Sequence, residues 1–165
     1  FEEELQLAAR EADRTPQQAR AYARKCLQEI EASRSVATHL MLEPKAKVVR
    51  LQRLRFLNRE PVSFDITYVR SEVGAALANV DLETRDVISV LETECKLTVV
   101  KAREAIDAML CDAETGKHLQ LEEGGPILHI ERTMLDQKER PVLYENLYYH
   151  GNSFRYGLER IRNSG

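Results

Sequence analysis

Between residues 33 and 69 the chain sets out a short helical stripe followed by two alternating stretches. Val36, Ala37, Leu40 and Met41 recur at helical spacing behind Ser33, a residue type that caps helix N-termini, and Pro44 stops the pattern. Val48 to Leu57 then alternates with period two. Val49, Leu51, Arg53 and Arg55 fall on one strand face, and Val48, Arg50, Gln52, Leu54 and Phe56 on the other. Asn58-Arg59-Glu60-Pro61 turns the chain, and Val62 to Val69 returns. The same order recurs downstream. Asp112 caps a helix carrying Leu119 and Leu121, which stops at Gly124-Gly125-Pro126, and Ile127 to Leu135 and Val142 to Tyr149 form a second hairpin.

The recurrence is also visible residue by residue. His39 to Tyr68 lies over His118 to Tyr148 with one extra residue in the second turn. His39, Leu40, Leu42, Glu43, Arg53, Pro61, Val62 and Tyr68 meet identical residues at His118, Leu119, Leu121, Glu122, Arg132, Pro141, Val142 and Tyr148. Repeats govern architecture, so two related halves sharing a groove are expected.

The intervening stretch adds a helix over Asp81 to Lys96, capped at Thr84 or Asp81, with Val87, Ile88, Leu91 and Cys95 on one stripe. Leu97 to Leu110 reads as a long strand with Val100, Ala102, Ile106, Ala108 and Leu110 on one face. Gln17 to Glu31 suits helix by propensity and strand by alternation, and its pattern leaves both open. Phe1 to Asp13 suits a short exposed helix broken at Thr15-Pro16, so residues 1–14 read as a linker or N-terminal arm before a domain at 15–165. Five or six strands and three or four helices in this order give an α+β class with antiparallel hairpins.

Composition narrows the function classes. At 165 residues the chain is long enough for a full core, and no apolar run approaches the ~20 residues of a membrane helix. A net charge of -3 lacks the basic footprint of a nucleic-acid binder. Cys26, Cys95 and Cys111 have neither disulfide-framework nor zinc spacing, which fits the reducing cytoplasm. The sequence contains no GxSxG, HExxH, P-loop or Rossmann glycine pattern, so neither a catalytic centre, a metal nor a cofactor is expected. His39 and His118 occupy equivalent helix positions, which favours a repeated structural role over metal ligation.

Arg53 and Arg55 stand at i and i+2 on a strand, so their forked donors point the same way, suited to phosphate or carboxylate or to neighbouring acids. Arg53 has a counterpart in Arg132. Arg55 meets Met134, so Arg55 is where a single ligand would be distinguished. Asp65 and Glu145 are equivalent acids, each three residues before a tyrosine. They suit a small polar molecule, anions included, or a hairpin ion pair with Arg53 or Arg55.

Val49-Arg50-Leu51-Gln52-Arg53-Leu54-Arg55, Glu60-Pro61-Val62, Asp86-Val87-Ile88-Ser89-Val90-Leu91-Glu92, Pro126-Ile127-Leu128-His129-Ile130-Glu131-Arg132 and Tyr148-Tyr149-His150-Gly151-Asn152 follow a family's order. Over these motifs the chain resembles the UTRA domain, the effector-binding C-terminal domain of GntR-type transcriptional regulators of the HutC subfamily. The resemblance implies a chorismate-lyase-like fold with two pseudo-symmetric halves and a strand near Ala21 to Glu31. It further implies a homodimer, a small-molecule effector, and operator DNA bound through a winged helix-turn-helix outside this chain, as in a repressor. Its ligand residues would be Arg53, Arg55, Asp65, Tyr68, Asp86, Glu145 and Tyr149. Asp86 stands where sugar-phosphate-binding relatives have Ser, and an acid there would repel phosphate. A lyase sharing the fold and a dimerisation domain with a vestigial cleft are the competing expectations.

Overall fold

The structure is a computed structural model, and it describes residues 27–57, 60–82, 85 and 87–157. The arm expected at residues 1–14 and the candidate Asp86 lie outside the described residues. Six strands form one sheet: β1 (Leu27–Glu31), β2 (Lys47–Leu57), β3 (Glu60–Arg70), β4 (Lys101–Leu110), β5 (Pro126–Leu135) and β6 (Pro141–His150). Among the described residues four helices flank it: α1 (Arg34–His39), α2 (Ser71–Leu77), α3 (Val87–Glu94) and α4 (Ala113–Leu119). The strand order is β1-β2-β3-β6-β5-β4, and every pairing is antiparallel. The α+β sheet read from the hairpins is therefore present, and the ambiguous segment is a strand from Leu27 onward.

The order is a palindrome, and the duplication explains it. β3 and β6 pair at the centre, where Ile66 lies opposite Asn146. These two are equivalent under the repeat, so a local two-fold axis runs through the sheet at that pair. Details recur on both sides of it. Ser33 caps α1 by accepting from Val36 N–H at 3.3 Å, and Asp112 caps α4 by accepting from Thr115 N–H at 2.7 Å. The β2–β3 register shifts between Arg55 and Phe56, and the β5–β6 register between the equivalent Met134 and Leu135. Even the left-handed turn residues correspond, Met41 with Gln120 and Lys45 with Gly124. The repeat thus extends past His39 back to Leu27 and Ile106.

Alternation along the strands separates two layers. One sheet face packs on α2 and α3 through Val49, Leu51, Val69, Leu77, Val90, Leu91 and Leu143. The other packs on α1 through Val48 and Tyr144, and on α4 through Phe64 and Ile127. Each of these two helices reaches across to the other half's central strand. His39 stacks on Tyr144 and His118 on Phe64, each pair with ring centroids 4.1 Å apart. The two equivalent histidines share one packing role.

Two expectations shift. The helix of the 81–96 segment occupies Val87–Glu94, and the strand expected from Leu97 begins at Lys101, where the register with β5 starts opposite Leu135. Helix α2 was not legible. Its Gly74 lies so close to β2 that an added Cβ would fall within contact distance of Val49 Cβ and Cγ2.

Gly74→Ala is therefore expected to lower stability by about 1–3 kcal/mol through overpacking, despite alanine's better helix propensity; denaturant melts would show a lower midpoint at unchanged slope. Asp112→Ala is expected to cost about 1 kcal/mol at neutral pH. The Thr115 backbone N–H, and then its hydroxyl, hold the Asp112 carboxyl below its usual range. A depressed folded value means the contribution is complete above the ordinary aspartate range. It fades as pH falls through the folded value, so the stability gap between wild type and Asp112→Ala should close in acid.

Candidate ligand-binding site

The face that carries α2 and α3 also buries charge. On β2, Arg53 and Arg55 point to this face, and register brings Asp65 opposite Arg53 and Ser63 opposite Arg55. Asp65 is fully buried. Its Oδ2 lies 2.7 Å from Arg55 Nε and 3.7 Å from Arg53 Nη2. Neither Asp65 oxygen makes a well-aligned hydrogen bond among the described residues, so charge balance more than hydrogen-bond geometry holds it there. Ser63 Oγ is buried with no hydrogen-bond partner among the described residues.

The second half repeats the arrangement with different chemistry. Arg132 lies opposite Glu145 and opposite Glu104 of β4. Its Nη1 donates to Glu145 Oε1 at 3.1 Å and its Nε to Glu104 Oε1 at 2.6 Å. Thr67 crosses the central pair, its hydroxyl donating to Glu145 Oε2 at 3.3 Å. Burial pushes the Glu145 carboxyl above its usual range, with Arg132 pulling the other way.

Comparing the halves shows what the symmetry preserves. Arg53 with Asp65 matches Arg132 with Glu145, so each half carries one scaffold ion pair. Arg55 and Ser63 face Met134 and Leu143 in the other copy. Among the described residues the first half therefore has two guanidiniums around one acid, and the second has two acids around one guanidinium. Counted over those residues, the cluster is dipolar, cationic toward Arg55 and anionic toward Glu104 and Glu145. In a low-dielectric interior such an arrangement orients a ligand strongly.

The candidates separate accordingly. Arg53, Arg55, Asp65, Glu145 and Tyr149 share this face. Tyr149 pairs across the sheet with Ser63 and is 1% exposed. Burial pushes its hydroxyl far above the usual range, with Asp65 adding to the effect. Its ring is covered by Phe154, centroids 3.9 Å apart, and Tyr156 ties the same tail to Glu104 through a 3.0 Å hydrogen bond. Tyr68 does not share this face. Three residues from Asp65 on a strand means the opposite face, where Tyr68 stacks with Tyr144 beside α1. Ser63, Thr67, Glu104 and Arg132 join the cluster without having been singled out as ligand residues; Ser63 and Glu104 become legible once the registers are known.

No helix among the described residues is long and apolar enough to cross a membrane. The family model of the UTRA domain matches residues 26–155. The chain is similar to the HTH-type transcriptional regulator GgaR of Escherichia coli, 27% identical over 115 residues, covering 70% of this chain and 45% of that protein. It is similar to the HTH-type regulator YurK of Bacillus subtilis, 20% identical over 129 residues, covering 78% and 53%. The chain thus spans about half the length of the curated relatives it matches. Its fold is shared with the ligand-binding domain of a GntR-family regulator from Bordetella bronchiseptica, with TM-score 0.75, 21% identity, and 82% and 88% of the two chains covered. The chain belongs to the UTRA domain family, the effector-binding domains of GntR-type transcriptional regulators.

Proposed function

We propose that this domain senses a small polar metabolite bearing an anionic group, held on the sheet face between Arg55 and the Glu104–Arg132–Glu145 cluster. The observation that carries this reading is the broken symmetry of buried charge. A scaffold alone would repeat Met134 and Leu143, whereas this face places Arg55 and a buried Ser63 hydroxyl, without a hydrogen-bond partner among the described residues, at the equivalent positions. The anion meets Arg55 and Ser63, and a hydroxyl or amine on the same molecule turns toward Glu145. The proposed ligand residues are Arg53, Arg55, Asp65, Glu145 and Tyr149, together with Asp86, whose acid suits a hydroxyl or amine on the ligand rather than its anionic group.

The domain binds and releases its ligand without turnover. In the longer cytoplasmic protein, a homodimer of the HutC type, binding changes how tightly a winged helix-turn-helix segment holds operator DNA. Such coupling requires the ligand to prefer one dimer arrangement, because equal affinity for both shifts nothing. Operator affinity of the longer protein, measured with and without a ligand proven to bind, tests this link. An unchanged affinity sinks it.

Two variants test the site itself. Arg55→Met copies the other half's residue and removes one charge-assisted contact. A loss of about 1.5–3 kcal/mol is expected, roughly 10–100-fold in affinity, by calorimetry against an anionic ligand found in a thermal-shift screen. Unaltered affinity in a folded Arg55→Met protein would exclude this face. Ser63→Ala should move stability and binding in opposite directions. Removing a buried unsatisfied hydroxyl is expected to raise stability by about 1 kcal/mol, while affinity falls.

A further inference from the structure

The sheet has two edges, and they are built differently. β1 carries Glu29 and Glu31 among its described residues Leu27–Glu31, charges of the kind that discourage edge pairing. β4 is 10 residues long and exposed along almost its whole length. Three large apolar side chains stand exposed on or beside it, Val100 (54%), Ile106 (45%) and Leu110 (72%). All are even-numbered, so they project from one face together with Ala102 and Ala108. β4 is long, has no strand on its outer side among the described residues, and is largely apolar on one face although Lys101, Arg103, Glu104 and Asp107 also lie along it; such an edge is a template for a strand of complementary charge.

We propose that β4 is the seam between two copies of this chain, paired antiparallel about a two-fold axis at Ala105. This deepens the regulator reading, which supplies the expectation of two copies, by naming the surface and the register. In a two-fold interface residue i meets j of the partner and j meets i, and opposed residues of an antiparallel pair share a face. Centring on Ala105 sets Val100 against Leu110 and Ala102 against Ala108, and it sets Arg103 against Asp107. Each of these pairs occurs twice.

Neighbouring registers are poorer. Centring on Glu104 puts two carboxylates face to face, and like charges directly opposed destabilise a strand pair. Centring on Ile106 sets Arg103 against Met109 and Asp107 against Ala105, so both ion pairs are lost. A one-residue slip pairs odd with even positions and turns apolar side chains against the charged face. Backbone polarity agrees with the Ala105 register. The Cys111 N–H bonds Gly125 O across the β4–β5 ladder. Within β4, odd residues therefore turn their amides toward β5 and even residues turn theirs outward, whereas Val100 just before the strand gives its amide to Leu135 O of β5, so its part in the seam is through its side chain. The Ala105 pair then falls at a non-hydrogen-bonded site, where Cα atoms approach to about 4.5 Å.

The existing partners do not block this seam. Arg103 pairs with Glu139 at 2.7 Å on the exposed surface, an interaction worth little on its own, and Asp107 lies 3.9 Å from His129 at the strand's rim. Glu104 belongs both to the seam and to the Arg132 cluster, so the ligand face and the dimer edge share a residue.

Three variants of the full chain test the register. Ala105→Cys should give a disulfide-linked dimer on mild oxidation, above the parent chain with its own cysteines, because the Cα separation suits a disulfide. Arg103→Glu should weaken the dimer by at least ~10-fold in sedimentation equilibrium, since it opposes Asp107. Arg103→Glu with Asp107→Arg should restore it, a rescue that a general loss of fold would not produce. A dimer that neither cross-links through Ala105→Cys nor responds to the charge swap overturns the seam and leaves the two-copy expectation standing. A chain that remains monomeric at tens of micromolar overturns both. Neither outcome touches the ligand site, which Arg55→Met reads separately.

Discussion

The antiparallel pairing of β3 with β6 is the interaction on which the rest of this structure depends. It is the only strand pairing between the two halves among the described residues, and it makes one sheet from two hairpins. Because equivalent residues Ile66 and Asn146 meet there, the pairing also imposes the two-fold relation on everything outside it. Helices α1 and α4 then land over the opposite half's central strand, where His39 and His118 each find an aromatic ring. A different register at this one seam would turn the buried charges and the aromatic stacks to the wrong faces.

That constraint has an electrostatic consequence. Both copies carry a strand arginine facing an acid on the returning strand, and the central pairing brings the two ion pairs onto the same sheet face that packs on α2 and α3. Burying four charges is costly compared with an apolar core, and their mutual neutralisation only offsets the penalty. Retaining such groups is understandable when one half departs from balance. Arg55 adds a positive charge where Met134 has none, and Glu104 adds a negative one beside Arg132. The scaffold thereby holds a fixed dipole in a dry setting, which is the preorganisation that a small ligand exploits.

Much of this was legible in the chain, and the reasons differ by element. Ser33 and Asp112 could be read as caps because capping depends on residues only three apart. The hairpins showed through alternation and through the turn residues between them. Helix α2 was invisible because Ser71–Leu77 is only 7 residues long, too short for a helix to hold by itself, and forms against Val49, distant in sequence. Tyr68 was grouped with Asp65 through a shared motif, yet an odd spacing on a strand separates them by the thickness of the sheet. Ser63 gave no signal until register set it beside Arg55.

The sequence by itself determined the α+β class, the caps, the hairpins and the duplication, because each arises from local spacing or from self-similarity along the chain. Only the tertiary structure decided which strands lie at the centre, which face buries the charges, and that β4 is left exposed at an edge. Those outcomes depend on pairing between segments some eighty positions apart. Strand alternation states that two faces exist, and only the tertiary structure shows that α2 and α3 pack on the same face that buries the charges.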